Sequence, residues 1–226
     1  MSSSGLKQRK IMFNFIISFL RKHPWFYLPF MIWMVVGGVL LLSFTQEQLF
    51  FAINERHSAF FDRLMPAISA YGRGDCISIV LVSLILIPAL RHKWYIITAI
   101  VFGILISVPI YFLKLCFGCP RPITVYGLER VHTVSWLENL HNNSFPSGHT
   151  IGAFGFFLFV SFWLPIQHRR WAFVFFLLAL LVGISRLYLG QHFFKDIYYG
   201  SLIGVSICIL IYLAGTYYFQ PKSLRS

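Results

Sequence analysis

Six stretches with charges only at their ends dominate the chain, each near the roughly twenty residues a helix needs to cross a bilayer. They lie at about 25–44, 72–90, 94–114, 149–166, 171–187 and 196–219. The second is apolar only from Ile77 onward, so its outer end is predicted to begin in the polar residues just before. Trp25, Trp94, Trp171, Tyr217 and Tyr218 fall near span ends, as an interfacial aromatic belt requires. Residues 46–74 mix Leu49, Phe50, Phe51, Phe60, Phe61 and Leu64 with charges, the pattern of an amphipathic helix lying in the interface. Residues 117–145 are polar and hold Gly, Pro and Asn, a long loop of the kind that often carries function. The predicted fold is all-α: a six-transmembrane-helix bundle with an interfacial amphipathic helix between the first two spans, forming one membrane domain over 1–226. The apolar run at 11–20 follows a basic stretch, but Arg21-Lys22-His23 stands where a signal peptide would need small residues. It is predicted to be retained as an interfacial helix on the cytoplasmic surface.

Composition agrees with a membrane protein. Hydrophobic residues make up 58% of the chain and charged residues 12%, against about a quarter charged in soluble domains. A net charge of +12 would suggest nucleic acid in a soluble protein, but here the charges are sorted by side. Six spans put both termini together with Lys7, Arg9, Lys10, Arg21, Lys22, Arg91, Lys93, Arg169, Arg170, Lys222 and Arg225. That side takes eleven of the nineteen basic residues and none of the seven acids. The positive-inside rule makes it cytoplasmic. The chain is therefore expected in the cell (inner) membrane, with Glu47, Glu55, Asp62, Asp75, Glu129, Glu138 and Asp196 on the outer or periplasmic side. Neither a nucleic-acid partner nor an obligate protein partner is inferred. Cys116 and Cys119 form a lone C-x-x-C without a second pair, which reads as two small residues at a helix end or as a local disulfide, and not as zinc.

Three sequence-distant groups reach one depth, the outer ends of the third to sixth spans. Lys114 ends the third span, with Arg121-Pro122 soon after; Pro146-Ser147-Gly148-His149 precedes the fourth; Ser185-Arg186 ends the fifth, and His192 and Asp196 open the sixth. Together they describe an oxyanion site. Lys114, Arg121 and Arg186 supply fixed positive charge, and an arginine fork can grip two phosphate oxygens. Ser147 and Gly148 lead into a helix whose free N–H groups favour an anion. His149 and His192 can carry protons near neutral pH. Asp196 shares a helical face with His192 and can hold one imidazole nitrogen while the other acts as nucleophile. Gly200 and Gly204 continue that face with small residues, suited to close helix packing. A lone histidine at a helix end is more often structural than catalytic, and basic residues near span ends commonly snorkel to headgroups. Neither reading accounts for all eight positions in this order.

Lys114-x6-Arg121-Pro122, Pro146-Ser147-Gly148-His149 and Ser185-Arg186-x5-His192-x3-Asp196 resemble the three-part signature of the type 2 phosphatidic acid phosphatase superfamily. The resemblance implies a lipid phosphatase that works in two steps without metal or other cofactor. His192, oriented by Asp196, would attack phosphorus to give a phosphohistidine, and His149 would protonate the leaving oxygen and then activate water. Lys114, Arg121, Ser147, Gly148 and Arg186 would bind the phosphate. The substrate it implies is a membrane lipid phosphate or diphosphate of the undecaprenyl diphosphate, phosphatidate or phosphatidylglycerol phosphate class, with a lipid A phosphate as alternative. A phosphotransferase would use the same residues. An anion transporter would place polar groups in mid-membrane, and a structural membrane protein leaves the His192–Asp196 pair without a purpose. Asn142-Asn143-Ser144 has the form of a glycosylation sequon, but a glycan three residues before Ser147 would obstruct the site, so the match is read as chance.

Overall fold

The structure, a computed structural model, describes residues 23–86 and 93–219. Among them it is wholly helical: α1 Pro24–Ser43, α2 Gln46–Asn54, α3 Ala59–Ala70, α4 Gly74–Leu86, α5 Lys93–Phe117, α6 Pro122–Tyr126, α7 Gly148–Ser161, α8 Trp171–Tyr188 and α9 Phe194–Phe219, with a short 3₁₀ turn at Ile166–His168. The 11–20 segment and most of the basic residues assigned to the terminal side lie outside the described residues.

Among the described residues, four stretches are long and apolar enough to cross a membrane: Pro24–Ser43, Ile100–Tyr126, Trp171–Tyr188 and Phe194–Gly215. Two shorter apolar helices accompany them, Gly74–Ser83 and Gly148–Ser161. The chain is a multi-pass, all-helical membrane protein. α1 shows why its composition is apolar on every face. Phe26, Tyr27 and Phe30 enter the core, while Leu28, Met31, Ile32, Val35, Val39 and Leu42 stand exposed, a surface suited to hydrocarbon.

α7 is the central helix and is buried almost throughout. It packs against α4, α5, α8 and α9. The expected span at 149–166 ends early: the chain leaves the helix at Phe162 and passes through a turn to the 3₁₀ segment. At 14 residues α7 is about 21 Å long, shorter than a bilayer's hydrocarbon core. Neighbours that satisfy and cover it make such a length tolerable.

The contact between α7 and α9 depends on small residues. A Cβ on Gly204 would stand 2.4 Å from the Ile151 carbonyl oxygen, and one on Gly200 would stand 3.1 Å from that of Ser147. The glycine face expected on the last helix therefore brings two backbones together, and with them His149 and Asp196.

Residues 46–74 form two helices where one was expected. Thr45 and Gln48 make a capping box that starts α2, and the Ser58 hydroxyl accepts from the Phe61 N–H to start α3. Both caps are strong local start signals, so the chain breaks between them. Asn54, at the end of α2, donates to the carbonyls of Tyr188 (2.9 Å) and His132 (3.0 Å), tying together three segments. Asp62 on α3 accepts from Tyr188 Oη (2.6 Å) and lies 2.7 Å from His132 Nε2, while His57 stacks flat on the His132 ring. Desolvation works to raise the Asp62 carboxyl's pKa, but the bonds from Tyr188 and His132 outweigh it and hold the group below its ordinary value. The long loop is thus pinned to α3 and to the end of α8.

Candidate active site

Each predicted site residue lies where two helix ends meet. Ser147 is the N-cap of α7, accepting from the Thr150 N–H (3.4 Å) and hydroxyl (2.9 Å). Both bonds use Ser147 as acceptor and leave its own hydroxyl hydrogen free to donate. Its N–H donates to the Asp196 carbonyl oxygen (3.2 Å), joining the first turn of α7 to that of α9. Gly148 opens the helix, and the Lys114 ammonium lies about where a side chain on Gly148 would touch it, 4.0 Å from that Cβ position. From the other flank, the α3–α4 turn presses so close that a Cβ on Gly72 would stand 2.4 Å from the His149 carbonyl oxygen.

Arg121 is buried and fully engaged, but only by neutral oxygens. Its Nε donates to the Asn142 carbonyl (2.8 Å), and Nη1 donates to the Gln191 carbonyl and to Gln191 Oε1 (both 2.9 Å). Arg186 is also buried. Its Nη1 donates to Ser69 Oγ on α3 (2.5 Å), and its Nε has no hydrogen-bond partner. Among the described residues, neither arginine nor Lys114 has a carboxylate within ion-pair distance. Lys114 lies within electrostatic reach of Arg121, Arg186 and Asp196, and His149 within reach of Arg186, His192, Lys114 and Arg121. The eight predicted positions are therefore one cluster.

His192 is almost wholly buried and sits in the turn between α8 and α9. Its Nδ1 faces Asp196 Oδ2 at 3.5 Å and has no closer partner. That oxygen is shared: it also accepts from Ser144 Oγ (2.5 Å) and from the Phe193 N–H (2.8 Å). Burial above all pushes the imidazole's pKa down to about 3, with Arg121 and Arg186 adding to the effect and Asp196 opposing it. The ring is neutral at physiological pH.

Three residues of this arrangement escaped the sequence reading. Ser144, set aside within a chance sequon, is buried against Asp196; Gln191 carries Arg121 and in turn donates to the Glu138 carbonyl (3.1 Å); Ser69 carries Arg186. Adjacency to His192 was the one available signal for Gln191. Cys116 and Cys119 are both free thiols, so the disulfide left open by the sequence is not formed.

The model of the PAP2 superfamily matches residues 92–220, which include every predicted site residue. Undecaprenyl-diphosphatase BcrC of Bacillus subtilis is 26% identical over 167 residues, covering 73% of this chain and 81% of the relative. A bacitracin transport permease protein BcrC of Bacillus licheniformis is 34% identical over 76 residues, so the chain aligns with only 36% of that relative's length. Among solved structures, Aquifex aeolicus LpxE superposes with a TM-score of 0.63 at 28% identity, covering 76% of this chain and 98% of that one. The chain belongs to the PAP2 superfamily. The class of protein defined here is a membrane-embedded phosphatase.

Proposed function

We propose that this protein hydrolyses a membrane lipid phosphate or diphosphate, with undecaprenyl diphosphate as the leading substrate, through a phosphohistidine on His192. One observation carries the reading: Lys114, Arg121 and Arg186 converge on the first turn of α7 with, among the described residues, no carboxylate paired to any of them. Holding guanidinium groups out of water costs several kcal/mol per ion unless something negative offsets it, and a phosphate supplies that charge. With Nδ1 toward Asp196, Nε2 is the nitrogen available to attack. The new N–P bond forms as the bond from phosphorus to the leaving oxygen breaks, and His149 gives that oxygen its proton. His149 then takes a proton from water as the water attacks phosphorus, the N–P bond breaks, and inorganic phosphate leaves. Lys114, Arg121, Arg186, Ser147 and the N–H groups of Gly148 and its neighbours stabilise the equatorial oxygens in both steps. The undecaprenyl preference follows the relative that aligns over most of this chain.

The test is phosphate release in detergent from undecaprenyl diphosphate, phosphatidate, phosphatidylglycerol phosphate and a lipid A phosphate, with chelator present and no acceptor lipid. Release is expected, fastest from the diphosphate. Release only on adding an acceptor lipid would make the protein a transferase, and loss in chelator reversed by magnesium would end the metal-free scheme.

We also propose the six-span topology, with α4 and α7 as the two short spans, both termini cytoplasmic and the site at the outer face. Sorting of charge in the sequence supports it. Glu129 and Arg170 are both exposed and lie on opposite sides in this scheme. In a background without the native cysteines, Glu129→Cys should react with an impermeant thiol reagent added to intact cells and Arg170→Cys should not. The reverse pattern turns the molecule over.

A further inference from the structure

Three aromatic rings form an exposed seam beside the phosphate cluster, and the proposed chemistry uses none of them. Phe117 ends α5 three residues after Lys114; Phe145 directly follows Ser144; Tyr199 lies on α9 three residues after Asp196. The Phe117 and Phe145 ring centroids are 5.0 Å apart and those of Phe145 and Tyr199 are 5.8 Å apart, both edge to face. Each ring is thus fixed to a site residue by one peptide or one helical turn, and the rings touch each other across the seam between α5 and α9. Phe117 is 54% exposed and Tyr199 43% exposed, aromatic surface left for lipid to cover.

Two other flanks of the cluster are covered by packed backbone. On the α3 side Gly72 abuts the His149 backbone and Ser69 holds Arg186. Over the His192 turn, the long loop packs onto Gly190, whose φ of +67° favours glycine and where a Cβ would stand 2.7 Å from Val131 Cγ1. A cationic cluster flanked by exposed aromatic rings is complementary to an amphiphile, with the anionic end in the cluster and the chain on the rings.

We infer that Phe117, Phe145 and Tyr199 form the rail along which the substrate's apolar chain leaves the site between α5 and α9, and that they set its preference for long-chain lipids. The inference rests on the phosphatase reading above. Its test compares farnesyl diphosphate with isopentenyl diphosphate, whose chain is too short to reach beyond the headgroup. Tyr199→Ala and Phe117→Ala should each raise KM for farnesyl diphosphate about tenfold, the worth of one well-placed aromatic contact. Both should leave kcat and the isopentenyl diphosphate rate within about twofold of wild type, which also shows that the variants fold. Phe60→Ala, an exposed ring on α3, should change neither substrate. Equal losses on both substrates, or no loss on the longer one, would overturn the rail. A farnesyl-specific loss in Phe60→Ala would instead move the exit to α3. If the wild type releases phosphate from neither compound nor from any of the lipids above, the phosphatase reading itself fails and the rail with it.

Discussion

His192→Ala is expected to lower turnover by more than about a thousandfold while the protein remains folded, because on the proposed scheme no other residue is placed to form the covalent intermediate. Two other substitutions should grade the effect. His149→Ala removes the proposed proton donor but not the proposed nucleophile, so it should still form phosphoenzyme slowly from a substrate with a good leaving group. Ser144→Ala keeps both histidines and removes one of two hydrogen bonds that fix Asp196 Oδ2, the oxygen facing His192 Nδ1. A loss of about tenfold in kcat, with KM unchanged, is expected there, corresponding to roughly 1.4 kcal/mol of misplaced orientation. Labelled phosphate trapped on His149→Ala and absent from His192→Ala is the decisive measurement. Label on His192→Ala would assign the nucleophile elsewhere. The pH profile carries a further expectation. Burial holds the His192 pKa near 3, and a depressed histidine pKa means that the neutral, nucleophilic form persists until the pH falls close to that value. The acid side of kcat/KM should therefore show no limb from His192 above about pH 4.

The sequence made this cluster legible because its residues lie at helix ends, where hydropathy and charge change together. His192 and Asp196 could be paired from spacing, although the structure places His192 in the turn just before α9 and not on the helix itself. The Gly200–Gly204 face was legible for a similar reason, since two glycines a turn apart can only gain by close packing. What could not be read is the layer behind the site. Ser69, Ser144 and Gln191 come from three different segments, and each acts through a hydrogen bond to a residue between 52 and 117 positions away. Small polar residues in loops are common, so no local pattern separates Ser144, buried on Asp196, from an exposed serine. The split of residues 46–74 was available in principle: Thr45 with Gln48, and Ser58 before an apolar run, are both helix starts. The amphipathic signal over the whole segment masked them. α7 was read as too long because Phe162, Trp163 and Leu164 continue its hydropathy, and composition does not record where a backbone turns.

Arg186→Met is expected to lose more than about a hundredfold in kcat/KM and yet to be as stable as wild type, or more so. The two halves come from one feature. Arg186 is buried, its single strong bond goes to the neutral Ser69 hydroxyl, its Nε is unpartnered, and no carboxylate lies within ion-pair distance among the described residues. In the unliganded protein this guanidinium bears its desolvation cost with little to offset it. A methionine of similar length fills the space without charge, leaving only the cost of the freed, buried Ser69 hydroxyl, about 1–3 kcal/mol. In the reaction the same guanidinium meets charge that grows on the phosphoryl oxygens, where losing one preorganised donor typically costs about 10²–10³ in rate. Arg186→Lys keeps the charge but not the fork, so its activity should fall between the two. Thermal unfolding in detergent, read beside phosphate release, separates the terms. An Arg186→Met protein that is inactive because it melts well below wild type would show that Arg186 holds the bundle together. One that keeps wild-type activity would remove Arg186 from the phosphate site. Stability retained with activity gone is the outcome required of a charge kept buried for an anion that has yet to bind.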